Sequence, residues 1–211
     1  MKPTHPLYII WRVVLAAALL VGLWIAQLHN YLLFHSIVEV FSITVAVAIF
    51  MLAWNARRYM HNHLFLWIAI GYLFVGGIDL LHTLAYKGMG VFPWGGTNLP
   101  TQLWIGARYM QALTLLIAPA FLNRRLQEHP ALAGYATVAV LVLLSIFAWD
   151  VFPTAYDDAA GHLTTFKIAS EYVISAILLA ALGWMLALRD RFSPGVLALL
   201  SAAIVTTLAS E

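Results

Sequence analysis

Seven stretches of roughly twenty apolar residues follow one another along the chain, near residues 7–27, 31–54, 63–85, 101–122, 132–152, 166–188 and 195–211. A bilayer core about 30 Å thick takes about 20 helical residues to cross, and backbone facing lipid must satisfy its own hydrogen bonds. Each stretch therefore reads as a transmembrane α-helix. The expected fold is an all-α polytopic bundle of seven transmembrane helices, one domain over residues 1–211. Of the 211 residues, 63% are hydrophobic and 9% are charged, whereas soluble domains carry about 25% charged residues. That balance excludes an ordinary soluble enzyme, a disordered protein and a nucleic-acid binder. The chain has no cysteine, so disulfides, thiolate metal sites and cysteine nucleophiles are excluded too. Lys2 precedes the first stretch and no small-x-small cleavage site follows it, so we read it as a retained helix rather than a signal peptide.

Basic residues in short loops orient such a bundle. Lys2 precedes span one; Arg57 and Arg58 follow span two, Arg124 and Arg125 span four, and Arg189 and Arg191 span six. These segments are assigned to the cytoplasm. The opposite loops carry Lys87, Asp157 and Asp158. The loop from Lys87 to Pro100 is dense in Gly, Pro and aromatic residues and reads as an ordered turn at the interface. The loop from Pro153 to His162 reads as acidic and solvent-compatible. With the N-terminus inside, seven spans place Glu211 outside, so the last helix reads as truncated before an eighth span. The spans do not form two matching halves, which weighs against an inverted-repeat transporter.

Ionisable side chains inside a membrane are costly and are usually paired or functional. His35 and Glu39 lie one turn apart on span two, with Ser42 continuing their face. Asp79, His82 and Tyr86 share a face of span three at i, i+3 and i+7. Span four brings Gln102, Arg108 and Gln111, and span six brings Lys167 and Glu171. The topology places all of these in the outer leaflet, while Arg12 in span one can snorkel to the inner interface. Counting Glu39, Asp79, Glu171 and Glu211 against Arg108 and Lys167 leaves two excess negative charges. Protonated carboxylates, protonated histidines or a bound cation would relieve that excess. His35, His82 and Glu39 are candidate metal ligands for Zn, Cu or Fe, and a bis-histidine haem is an alternative with Arg108 and Lys167 on the propionates. Structural readings stand beside these: Lys167–Glu171 as an intrahelical pair, Asp79–Arg108 as a packing pair, and both histidines as hydrogen-bonded packing residues. His61 and His63 read as interface anchors. The tryptophans read as a membrane-interface belt, Gly71, Gly76 and Gly77 as close-packing positions, and Pro119 as a kink in span four.

Several runs carry a resemblance: Phe34-His-Ser-Ile-Val-Glu39, Ala53-Trp-Asn-Ala-Arg-Arg58, Gly71-Tyr-Leu-Phe-Val-Gly76 and Ser170-Glu-Tyr172. The most specific are Asp79-Leu-Leu-His-Thr-Leu-Ala-Tyr-Lys-Gly-Met-Gly-Val-Phe-Pro93 and Asn98-Leu-Pro-Thr-Gln-Leu-Trp-Ile-Gly-Ala-Arg-Tyr109. Together these resemble the third type of membrane-associated sensor (MASE) domain, the N-terminal helical region of bacterial histidine kinases and diguanylate cyclases. The resemblance covers nearly the whole chain. It implies a non-catalytic sensory module, multi-pass in a bacterial inner membrane, fused in cis to a cytoplasmic PAS, histidine-kinase or GGDEF domain and acting as a homodimer. No such output domain is within these residues.

The leading expectation is a signal-sensing input module of a two-component or cyclic-di-GMP pathway. A ligand, ion or cofactor would bind among His35, Glu39, Asp79, His82, Tyr86, Arg108, Lys167 and Glu171, and helix rearrangement would carry the signal inward. Titration of the histidines makes pH an alternative signal. A haem- or metal-binding redox subunit and a small transporter are the two alternatives. The near absence of polar groups in the inner half counts against the transporter.

Overall fold

The computed structural model describes residues 6–210. Lys2 and Glu211, used above for orientation and charge, lie outside the described residues. The chain divides into two compact units, Met1–Phe41 and Ser42–Glu211.

The first unit holds α1 (Pro6–His29) and the first part of α2 (Tyr31–Ala56). Asn30 separates the two helices, and its side-chain Oδ1 accepts a hydrogen bond from Leu33 N at 3.1 Å, the N-cap role that Asn fills well. On α1, Trp11 is 73% and Leu20 68% exposed. Large apolar side chains presented this way suit contact with lipid.

The second unit contains the rest of α2, then α3 (Leu64–Ala85), α4 (Asn98–Ile117), α5 (Glu128–Phe147), α6 (Thr165–Ala187) and α7 (Pro194–Ser210). Helices α3 and α4 pack together at the centre, α5 lies against both, and α6 packs on α4 with α7 on its far side. Between α5 and α6 the antiparallel strands β1 (Tyr156–Asp157) and β2 (His162–Leu163) form a small hairpin. One apolar cluster runs from α3 through α4 and α6 to α7, around Ile68, Leu115, Leu178 and Ile204. A second joins α3, α4 and α5 around Ile78, Leu103 and Ile146. A third sets Ala53 of α2 against Leu66 and Ile70 of α3.

All-α architecture is what the apolar runs imply, but two helices, α4 and α5, differ from the sequence expectation at both ends. Helix α4 starts at Asn98, because Pro100 falls in the first turn, where a missing N–H has no intrahelical partner to lose. It ends at Ile117 rather than 122: Pro119 cannot continue the ladder, and residues 118–121 tighten into a 3-10 turn instead of a kink. Helix α5 runs Glu128–Phe147 rather than 132–152. Pro130 is accommodated in its first turn, and beyond its end Asp150 adopts a left-handed φ of 50° three residues before Pro153.

Five of the described helices, α1, α2, α3, α5 and α6, are long and apolar enough to cross a membrane. Helix α4 is not among them because Gln102, Arg108 and Gln111 lower its apolarity. It is also the helix surrounded by protein: Gln102 and Gln111 are buried with Leu103, Ile105 and Ala107. A central helix can carry polar groups because its neighbours, not lipid, surround them. Helix α7 has only 17 residues.

The glycines of α3 differ in function. A Cβ on Gly71 would lie 2.5 Å from Thr114 Cγ2, and one on Gly76 would lie 3.2 Å from Ala46 Cβ. Gly71 thus permits the close approach of α3 and α4, and Gly76 that of α3 and α2. Gly77 corrects the sequence expectation, since a Cβ there meets nothing within 4 Å. Thr114 cannot yield to a Gly71 side chain, because its Oγ1 donates to Met110 O at 2.6 Å and lies 2.7 Å from Tyr135 Oη. Gly71→Ala is therefore expected to cost about 1–3 kcal/mol. Gly77→Ala is expected to leave stability unchanged or raise it by up to about 1 kcal/mol. Thermal unfolding of the detergent-purified chain, followed by circular dichroism, separates the two; equal losses would refute the assignment.

Candidate functional site

The face of α3 that carries Asp79 and His82 is turned into the second unit, and both residues are 6% exposed. Arg108 of α4 meets Asp79 there, with Nη2 3.5 Å from Oδ1. The same guanidinium donates through Nη1 to Gln111 Oε1 one turn further along α4. Gln111 Nε2 in turn donates to Tyr72 Oη on α3 at 3.2 Å. A polar chain thus crosses from α3 to α4 and back, Asp79–Arg108–Gln111–Tyr72, enclosed by apolar side chains. In low dielectric such a chain holds only if its members satisfy one another. Two atoms fall short: Asp79 Oδ1 and Arg108 Nε are buried and make no hydrogen bond among the described residues.

Helix α6 adds a second pair. Lys167 is 7% exposed, and its Nζ donates to Glu171 Oε1 one turn along the helix. The ammonium also lies 3.9 Å from the centroid of the Trp104 ring on α4, and the Arg108 guanidinium lies 5.8 Å from it. Trp104 thus lies within reach of two cations that its π system attracts. Sequence reasoning placed this tryptophan in an interface belt. The available signal was its position four residues before Arg108, on the same helical face. Tyr72 was likewise outside the expected site, while Gln111 was among the polar residues of span four but not among the expected ligand contacts.

The structural readings of these pairs are the ones observed: Asp79 pairs with Arg108, and Lys167 with Glu171. Within the second unit the four charges therefore balance. The count made from the sequence also includes Glu39, on α2 in the first unit, and Glu211, which lies outside the described residues. His35 and Glu39 are one turn apart on α2, in the first unit.

His82 Nδ1 lies 2.8 Å from Pro100 O. A carbonyl only accepts, so Nδ1 carries a proton in this contact. The His82 ring meets that of Tyr86 edge-on, with centroids 6.2 Å apart. Tyr86 caps the C-terminus of α3, its N–H donating to Thr83 O. It also lines a cavity of about 300 Å³ under the loop that follows, together with Lys87, Phe92, Thr97 and Asp158.

The two loops at this end are joined, which the solvent-compatible reading of the acidic loop missed. Asp158 accepts from Thr97 N at 2.9 Å and Asn98 N at 3.2 Å, so a carboxylate from the α5–α6 connection caps α4. Asn98 Oδ1 reciprocates, accepting from Ala155 N and Tyr156 N at 2.8 and 3.0 Å. Gln102 Nε2 donates to Phe152 O and Pro153 O at 3.0 and 3.1 Å. Asp157 closes the hairpin by accepting from Ala159 N and Ala160 N at 3.0 and 2.9 Å. The Ala160 bond chiefly, then that of Ala159 and the neighbouring His162, hold the Asp157 carboxyl below its ordinary value.

A helical bundle with paired charges buried between its central helices, below a stitched loop layer, defines a polytopic membrane protein with an internal polar site. The chain belongs to the MASE3 family of membrane-associated sensor domains, which it matches over residues 26–211. No curated protein and no solved structure shows similarity to it.

Two measurements test this geometry. Removing one partner from a buried pair leaves an uncompensated charge, so Arg108→Gln is expected to destabilise the chain by about 3–5 kcal/mol. The double variant Asp79→Asn with Arg108→Gln is expected to recover part of that loss. Additive losses in thermal unfolding would mean that the pair does not couple. At the hairpin the sign follows from the lowered carboxyl of Asp157. Its stabilisation is complete above the ordinary value of 3.8 and is lost as pH falls through the lower folded value. Hydrogen-exchange protection at Ala159 and Ala160, corrected for the intrinsic rate, is expected to fall in that range, and Asp157→Asn is expected to remove the dependence.

Proposed function

We propose that this domain is the input module of a bacterial signal-transduction protein. It would bind its signal in the polar cluster of α3, α4 and α6 and pass a change in helix packing to a cytoplasmic histidine-kinase or cyclic-di-GMP output domain in cis. The observation that carries this reading is that the ion pair of Asp79 with Arg108 leaves two buried atoms, Asp79 Oδ1 and Arg108 Nε, without a hydrogen bond. Buried polar groups are normally satisfied, and exceptions tend to mark function. Membership of a membrane-associated sensor family supports the same reading.

The small cavity beside Tyr86 supports entry from the loop-bearing end. A polar ligand seated there would approach His82 past the tyrosine ring and compete for Asp79 and Arg108. Because α3 and α4 are held together by that pair, a ligand that binds its separated form more tightly would shift their packing. His35 and Glu39 are proposed as further contacts from the sequence. The Arg-bearing connections are proposed to face the cytoplasm of a bacterial inner membrane, with homodimerisation through the output region.

The test uses the full-length protein with its own output domain. His82→Gln, Tyr86→Phe and Lys167→Gln are each expected to abolish signal-dependent output while the inserted amount in membranes stays at the wild-type level. Normal output from all three would end the pocket reading. Metal analysis and a visible spectrum of the purified chain, with and without His35→Ala and His82→Ala, address the alternative of a metal or haem sensor. Stoichiometric metal or a Soret band lost in the double variant would favour it.

A further inference from the structure

Two cavities meet at the opposite end of α3 from His82. The first, of about 530 Å³, is a slot between α4 and α5, walled by Met110, Leu113, Ile117 and Val138, with Trp67 of α3 also lining it. The hydroxyls of Thr114 and Tyr135 also line it but lie 2.7 Å from each other and are already engaged. The slot thus offers a ligand almost nothing but hydrocarbon. Gly134 lines it, and the space beside this glycine is open, since a Cβ there would meet nothing within 4 Å.

The second cavity, of about 910 Å³, lies between the α2–α3 connection and the start of α5. It is lined by Arg57, Arg58 and Arg125, by His61, His63 and His129, and by one acid, Glu128. With neutral histidines its charge is three minus one, or +2. Arg57 is engaged already: it donates to Trp54 O at 2.5 Å, stacks on the Trp54 ring at 4.4 Å, and lies 3.8 Å from Glu128 Oε1. That leaves Arg58 and Arg125 as the cations for an incoming anion. The α2–α3 connection is tied to the turn after α4 by the bond from His63 N to Phe121 O at 3.1 Å.

Leu126, Gln127 and Pro130 line both cavities. An apolar slot therefore lies directly beside a cationic cleft, with three residues as their common wall, at the end of the bundle where the arginines gather. A free anion would have no use for the slot, and a neutral hydrocarbon none for the arginines. The composite matches an amphiphile with a hydrocarbon tail and an anionic head. The amphiphile that surrounds a membrane domain in excess is phospholipid.

We propose that these two cavities together bind one anionic phospholipid, with an acyl chain in the slot between α4 and α5 and the phosphate between Arg58 and Arg125. The site is separate from the Asp79 cluster and does not depend on the sensing function assigned there. A lipid so placed joins α4, α5 and the α2–α3 connection, and couples the packing of the domain to the anionic content of the membrane.

Native mass spectrometry of the detergent-purified chain tests this with phosphatidylglycerol and phosphatidylcholine carrying the same acyl chains. With two arginines at the head, phosphatidylglycerol is expected to be retained over phosphatidylcholine by about tenfold or more. Arg58→Gln with Arg125→Gln is expected to remove that preference. Gly134→Leu, which fills the slot, is expected to reduce retention of both lipids. Val138→Phe, from an exposed wall position, serves the same purpose where Gly134→Leu fails to fold by circular dichroism. Equal retention of the two lipids, or unchanged retention in the folded slot variant, overturns the proposal. Full displacement by millimolar inorganic phosphate, with the slot variant unaffected, would also overturn it by assigning the cleft to a free anion.

Discussion

The ion pair between Asp79 and Arg108 constrains the rest of the second unit. Each charge would be prohibitively costly alone in a membrane-embedded core, so the helices that carry them must lie side by side in one register. Gly71 lets α3 and α4 come close enough, and Gln111 and Tyr72 extend the pair into a chain that fixes their rotation. The remaining helices are arranged around this central pair. Helix α6 contributes Lys167 against Trp104, and α5 contributes the Tyr135 hydroxyl against Thr114. Apolar packing fills the spaces between these contacts, but it has no directional preference of its own. Hydrocarbon contacts hardly distinguish protein from lipid.

The loop layer above this core is part of the same construction. Asp158, Asn98 and Gln102 exchange hydrogen bonds between the start of α4 and the connection leading into α6. That connection ends in Thr164, which caps α6 and, through Oγ1, bonds back to Thr154 O. The position of Lys167, on the first turn of α6, is therefore set by loop contacts as well as by helix packing. A signal acting at this end has a mechanical route to α4 and α6 together. At the other end, the arginines and the slot beside Gly134 give the membrane itself a place to act on the same helices.

Much of this was legible in the sequence because the bilayer is a demanding solvent. Long apolar runs between short polar breaks admit few structures other than helices, and the buried charged residues could be recognised by their cost. Asp79, His82, Arg108, Lys167 and Glu171 were identifiable for that reason. Tyr72 and Trp104 were not, since tyrosine and tryptophan are common in membrane proteins without a partner. The boundaries of α4 and α5 were missed where Pro100 and Pro130 sit inside first turns, a position where proline is harmless. The tie from the acidic loop to α4 was not legible, because an exposed carboxylate that caps a distant helix looks the same in sequence as one that meets only water.

The sequence by itself determined that this chain is an all-α membrane bundle, that it belongs among membrane-associated sensor domains, and which ionisable residues could form its interior. These follow from local quantities: hydropathy, helical spacing and characteristic runs of residues. Only the tertiary structure decided which charges pair and which tryptophan lies within reach of them. It also decided that the loops are stitched to each other, and that an apolar slot lies beside the arginine cleft. Those outcomes depend on side chains tens of residues apart meeting at a few ångströms. Helix rotation and register, which no single helix specifies, set those distances.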